Sequence, residues 1–179
     1  MLDETSSLGH DYLAQLCTKW EGAANALGEH GCVVAALRTG IVMGAHGGAL
    51  KLQLPLFRLG LGGPHSTGAH WLSPISLRDE VRAILWVIDH QLSGAVNLVC
   101  PTPLKNKEFA HDLAQALHRP AIARIPAALL KVALGAQLAT DAVLASQRVT
   151  PMKLKENGFN FENPDAPSIA AEVVRLRTN

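Results

Sequence analysis

The segment Leu37-Arg38-Thr39-Gly40-Ile41-Val42-Met43-Gly44 constrains the fold of this chain more than any other. The apolar run before it, Cys32 to Leu37, is short and bounded by Gly31 and a charged residue, as a buried parallel strand is. The chain then exits through Gly40 and Gly44. That exit is the carboxyl end of a strand, where open α/β sheets bind their ligands. A second glycine-rich run, Pro55 to Pro64, follows soon after.

The flanking sequence alternates helix and strand patterns. Tyr12, Leu13, Leu16, Trp20, Ala23, Ala24 and Leu27 recur at helical spacing, which predicts an amphipathic helix over 10–28 stopped by Gly28 and Gly31. A second helix spans 48–58, with Pro55 placed to kink it or end it early. A loop follows over 60–69, then a short strand over 71–76. The helix over 77–90 should bury Val81, Ile84, Leu85 and Ile88. A strand over 95–100 is closed by Pro101 and Pro103, and Asn106 is placed to cap a helix that turns Phe109, Leu113 and Leu117 inward. Such alternation predicts parallel βαβ units.

After Pro120 the character changes. Residues 122–126 read as extended, two Ala/Leu-rich helices follow, and a hairpin-like turn at 158–161 precedes a last helix from Asp165 or Ser168. The reading is therefore an α/β region over 1–120 and a small, mainly helical domain over 121–179.

Bulk properties narrow the function. A net charge of +1 without clustered Lys and Arg argues against a nucleic-acid surface. An apolar share of 48% with 17% charge is that of a globular chain. Cys17, Cys32 and Cys100 form no Cys-x-x-Cys pair, which favours a reducing compartment, and His90, His111 and His118 lack metal-ligand spacing, so no metal is expected. Met1 to His10 has no apolar core of a signal peptide. The longest apolar tract, 125–145, is broken by Lys131, Gln137 and Asp141. The expectation is a cytoplasmic protein with no membrane contact.

Five motifs carry a resemblance: Leu-Cys-Thr-Lys-Trp-Glu at 16–21, Leu-Arg-Thr-Gly-Ile-Val-Met-Gly at 37–44, Pro-Leu-Phe-Arg-Leu-Gly-Leu-Gly-Gly-Pro at 55–64, Arg-Ala-Ile-Leu at 82–85 and Ala-Ser-Gln-Arg-Val-Thr-Pro at 145–151. Together they resemble the second half of an epimerase-like family in the atypical short-chain dehydrogenase/reductase superfamily. The resemblance implies the C-terminal part of a Rossmann-like parallel sheet. It implies an NADP or NAD cofactor, a small-molecule substrate of the sugar-nucleotide kind, and an N-terminal half whose Gly-x-x-Gly-x-x-Gly turn these 179 residues do not contain. A two-strand remnant of such a sheet would leave an edge and an apolar helix face bare, so a second copy or a cofactor-side polypeptide is the expected partner.

The resemblance places Arg38, Thr39, Gly40, Ile41 and Val42 against the nicotinamide-ribose end of the cofactor; the alternative is an ordinary strand exit with turn glycines. Arg58, His70 and Trp71, together with His65, surround the glycine loop. An Arg fork suits phosphate or carboxylate and an aromatic face stacks on a sugar or base, while the alternative makes Arg58 a helix terminus and Trp71 core. Ser76 and Arg78 depart from the His and Asp common in relatives, and Asp79 keeps to the pattern. The superfamily's Tyr and Lys four residues apart are absent: Leu16 stands four after Tyr12, and Leu13 with Cys17 is no better as a pair. No catalytic residue is assigned. Two readings follow: the substrate-side portion of an NAD(P)-dependent oxidoreductase or epimerase-like protein, or a non-catalytic, partner-binding module.

Overall fold

The computed structural model describes residues 1–121, 123, 124, 126, 128 and 145–176. The extended piece at 122–126 and the two Ala/Leu-rich helices therefore fall largely outside the described residues.

Helix α1 (Tyr12–Asn25) starts where the Asp11 carboxylate accepts the Ala14 N–H at 2.8 Å, and a 3-10 turn (Ala26–His30) ends at Gly31 in the left-handed conformation. Strand β1 (Ala35–Thr39) runs parallel to β5 (Gly94–Leu98), with Ala35 opposite Gly94 and Thr39 opposite Leu98. Strand β2 (Ile41–Met43) is parallel to β4 (Pro74–Ser76), and β3 (Trp71–Leu72) is antiparallel to β6 (Leu104–Lys105). Gly40 joins the first two pairs: its N–H donates to the Leu98 carbonyl and the next N–H, of Ile41, to the Ser73 carbonyl, both at 2.9 Å. A Cβ at Gly40 would meet the Ser73 carbonyl oxygen and come within 2.8 Å of Val99 Cγ1. Only glycine fits where the chain crosses from one ladder to the next.

Helices α2 (Gly48–Arg58), α3 (Leu77–Asp89) and α4 (Asn106–Ala116) connect the strands, followed by α5 (Met152–Glu156) and α6 (Ala166–Arg175). One core joins Met43, Leu54, Phe57, Phe109 and Leu113 to Ile169, Ala170 and Val173. The described end of the chain thus shares a core with α2 and α4. A second core lies under α3 and includes Ile75, Ala83, Val87, Val96, Leu98, Leu154 and Phe159. Residue 2 is tied to the tail: the Leu2 N–H donates to the Arg148 carbonyl and the Thr150 N–H to the Leu2 carbonyl, each at 2.8 Å.

Several details differ from expectation. The strand begins at Ala35 rather than Cys32; Cys32 is exposed, Val33 is 58% exposed and Leu37 39%. Helix α1 forms as its period predicts, but none of its residues is buried: Tyr12 and Trp20 are 74% and 76% exposed. Helix α3 is rotated from its predicted phase. It buries Asp79, Glu80, Ala83 and Val87 and leaves Leu77, Val81, Leu85 and Ile88 exposed. Ala83, fully buried, brings only a methyl group between helix and sheet, and both buried carboxylates accept hydrogen bonds from distant segments. The predicted strand over 71–76 is two strands in two pairings, β3 and β4. Helix α2 continues through Pro55 to Arg58. Lys105 rather than Asn106 caps α4; the Glu108 carboxylate accepts the Lys105 N–H at 2.7 Å, and Asn106 Oδ1 accepts the His65 N–H at 2.7 Å. At 158–161 there is no hairpin: Gly158 turns the chain and Phe159 meets Phe161 edge to face at 4.7 Å. Among the described residues, no helix is long and apolar enough to cross a membrane.

Candidate functional site

A cavity of about 810 Å³ opens at the carboxyl end of β1. Its walls are the N-terminal segment from Leu2 to Gly9, the α1 face carrying Cys17 and Trp20, β1 itself, and Asn97 with Gln147 and Val149. Of the residues predicted to meet a nicotinamide cofactor, Arg38, Thr39 and Gly40 line it. Ile41 and Val42 do not line it; each packs against one of the two cores.

Strand alternation sends neighbouring side chains to opposite faces. Arg38 turns to α1 and makes a two-point bond to Glu21, Nε to Oε1 and Nη2 to Oε2, both at 2.8 Å. This bond holds the Glu21 carboxyl below its ordinary range and raises Arg38 further, so both stay charged at neutral pH. Thr39 turns to α3, where its hydroxyl donates to Glu80 Oε1 at 2.9 Å. Glu80 is buried, and that burial pushes its carboxyl above the usual glutamate value against a smaller opposing effect of Thr39.

Arg58, His70 and Trp71 stand apart from this cavity's lining. Trp71 is covered by the tail: the Arg148 guanidinium lies 4.4 Å from its ring centre, Lys105 Nζ lies 5.4 Å away, and its N–H donates to Ser146 Oγ at 3.1 Å. Buried His65 pairs through Nε2 with Gln53 at 3.1 Å, and its pKa is lowered by burial first and by the His70 charge second. Burial also lowers His70. Arg58 occupies the last turn of α2, the position of the helix-terminus alternative. The glycines beside these residues serve packing. A Cβ at Gly62 would enter the Phe57 ring and one at Gly63 the Ala123 carbonyl.

Further from the site, a buried knot anchors the end of the chain to α3. Asp79 accepts the Glu162 and Asn163 N–H groups at 3.0 and 2.8 Å and the Arg82 guanidinium at 2.8 Å, while the Asn163 amide bridges Ser76 and Glu172. Sequence reasoning did not identify Glu80, Glu21 or the segments 2–9 and 147–149 as parts of the site. The Trp-Glu of residues 20–21 is a signal for Glu21; the Thr39–Glu80 pair, 41 residues apart, leaves none.

Comparison with known proteins follows the same outline. The family described as a domain of unknown function (DUF1731) matches residues 125–173. An epimerase family protein of Mycobacterium bovis is 39% identical over 164 residues, 91% of this chain and 54% of that protein. The crystal structure of the human epimerase family protein SDR39U1 (isoform 2) with NADPH superposes with a TM-score of 0.91 at 31% identity, over 97% of this chain and 59% of that one. A nucleoside-diphosphate sugar epimerase from Corynebacterium glutamicum gives 0.72 at 31% identity, over 96% and 33%. These matches identify the α/β arrangement as Rossmann-like. The chain spans about half the length of the curated relatives it matches.

Proposed function

We propose that this chain, a member of the epimerase family of atypical short-chain dehydrogenase/reductase relatives, supplies the nicotinamide and substrate side of an NAD(P)-dependent, epimerase-like oxidoreductase. The supporting observation is the cavity at the end of β1, lined by Arg38, Thr39 and Gly40, in a chain that superposes over 97% of its length on a relative crystallised with NADPH.

The residues present fit the nicotinamide end of such a cofactor rather than its phosphates. The one guanidinium in the lining, Arg38, is engaged by Glu21, and Asp3 adds a further negative charge. No Gly-x-x-Gly-x-x-Gly turn occurs in the sequence. When bound, the cofactor supplies or accepts a hydride. Arg38 and Glu21 fix α1 against β1, Gly40 holds the strand exit, and the α1 face with Cys17 and Trp20 forms one wall of the cavity. Arg58, His70 and Trp71 are the substrate side, with a sugar nucleotide as the class the relatives suggest. The pyrophosphate would be held by a cofactor-side polypeptide docking along β1, whose one partner strand among the described residues is β5, and across the exposed apolar faces of α1 and α3.

A second reading, a partner-binding module without catalysis, is favoured by the residues on α1, where Leu13 and Cys17 leave no Tyr/Lys dyad. Titration of the purified chain with NADPH and NADH tests the first reading. Saturable binding supports it, and no binding up to millimolar cofactor overturns it for this chain.

A further inference from the structure

The two edges of the β1–β5 pair differ. On β5 the Asn97 N–H points away from β1 and donates to Glu4 Oε1 at 3.0 Å, and the Asn97 side-chain amide donates to the Thr150 carbonyl at 3.1 Å. The bridge between Leu2 and Val149 ties the two covering segments together. The chain closes that edge with its own residues. On the other side, β1 has no second strand among the described residues. The Gly94 N–H donates to the Val34 carbonyl and the Gly40 N–H to the Leu98 carbonyl, so the even-numbered residues of β1 bond to β5. The N–H and C=O groups of Ala35, Leu37 and Thr39 therefore point to the open edge, a template for another strand. The cavity confirms the geometry: every residue from Ala35 to Gly40 lines it, as an edge does, where a sheet face would present alternate residues.

Resting on the cofactor-side partner of the reading above, we infer that β1 is a socket for one strand of that polypeptide, which enters the recess and pairs with Ala35, Leu37 and Thr39. The occupant follows from three observations. This chain superposes over 97% of its length on the human relative yet covers 59% of that protein, so the fold it matches continues beyond it. Arg38 turns to α1 and Thr39 to α3, and both helices expose apolar side chains, Leu16 and Trp20 on one and Leu85 and Ile88 on the other. A strand between such helices runs parallel to its neighbour and is apolar on both faces. A second copy does not fit, because its own β1 lies in the same recess, behind α1 and residues 2–9, and two recessed edges do not meet. The strand takes the length of β1 and leaves the end of the cavity at Gly40, Ser73 and Gln147 open.

The test mixes the full chain with the portion of the Mycobacterium bovis relative that lies outside the match, expressed as a separate polypeptide, and follows amide hydrogen exchange residue by residue. In the free chain the amides of Ala35, Leu37 and Thr39 should exchange fast while those of Ala36, Arg38 and Gly40 are protected. In the complex all six should be protected. Leu37→Pro removes an N–H that faces the open edge and leaves the bonds to β5 in place, so it should keep the unfolding midpoint of the chain and weaken the complex at least about tenfold. No complex, a complex that leaves the three odd-numbered amides unprotected, or equal affinity of Leu37→Pro overturns the inference. So does protection of those amides by self-association of the chain alone, which would give the socket to a second copy. If Leu37→Pro does not fold, the wild-type exchange pattern in the free and mixed samples decides. The NADPH titration is a separate readout: binding without a complex refutes only the socket, and a complex without NADPH binding refutes only the cofactor reading.

Discussion

Replacing Gly40 by alanine should cost this protein a large part of its stability. The added Cβ would press on the Ser73 carbonyl oxygen and stand 2.8 Å from Val99 Cγ1 and 3.3 Å from the Leu98 carbonyl oxygen. Two of these three neighbours are backbone and cannot rotate away. Forcing a methyl group into packed surroundings costs about 1–3 kcal/mol. The same displacement stretches the hydrogen bonds Gly40 to Leu98 and Ile41 to Ser73, each contributing about 0.5–1.5 kcal/mol. The expected loss is about 2–6 kcal/mol, against about 5–15 kcal/mol for a whole domain. Urea unfolding followed by tryptophan fluorescence measures it, with Gly44→Ala as the control, since the nearest atom to a Cβ there is Leu77 Cδ2 at 4.0 Å. A Gly40→Ala loss below about 1 kcal/mol, or one equal to that of Gly44→Ala, refutes the reasoning. Gly40 would then owe its identity to close approach by a ligand.

Other predictions concern titration and association. Burial raises the Glu80 pKa, so between the ordinary glutamate value and the raised one the folded state binds more proton than the unfolded state; stability is full below the ordinary glutamate range and falls as pH rises through the raised value. Glu80→Gln should match the wild type in acid and exceed it near neutrality, read as the difference in thermal midpoint from pH 4 to pH 8; equal slopes would contradict this. His65 and His70 are held neutral by burial, so stability should fall as pH drops below the ordinary histidine value of about 6.5. His65→Gln should flatten part of that slope, and an unchanged slope would show that His65 is free to take up a proton in the fold. The exposed stripe of Leu77, Val81, Leu85 and Ile88 should drive concentration-dependent association, which Leu85→Lys with Ile88→Lys reduces in light scattering; a monomeric wild type at high concentration would count against it.

The sequence was informative where a pattern is local. The helical periods over 10–28, 48–58 and 77–90 correspond to α1, α2 and α3, and the apolar run over 95–100 overlaps β5. Faces were less legible than elements. On α3 the apolar stripe is exposed, and the carboxylates of Asp79 and Glu80 are inside. Their burial depends on Thr39 and on the N–H groups of Glu162 and Asn163, partners 41 to 84 residues away, which no window of sequence displays. The site divides in the same way. Arg38, Thr39 and Gly40 follow from the motif at 37–44, whereas the walls made by residues 2–9 and 147–149 depend on chain closure. The contact between Trp71 and the Arg148 guanidinium is likewise one that only the returning tail could reveal.

The pairing of Leu2 with Arg148 and Thr150 brings together two stretches at nearly opposite ends of the sequence, and both border the cavity. The bridge of two backbone hydrogen bonds is reinforced by Glu4, whose Oε1 accepts the Lys153 N–H at 3.3 Å and the Asn97 N–H at 3.0 Å, so the two stretches open together rather than separately. A molecule that binds in the cavity and needs both walls therefore stabilises the two stretches as one cooperative unit. Its affinity would then be set partly by how often that closure forms unaided, and a change at residue 2 would be felt at residue 150 as directly as one at residue 149.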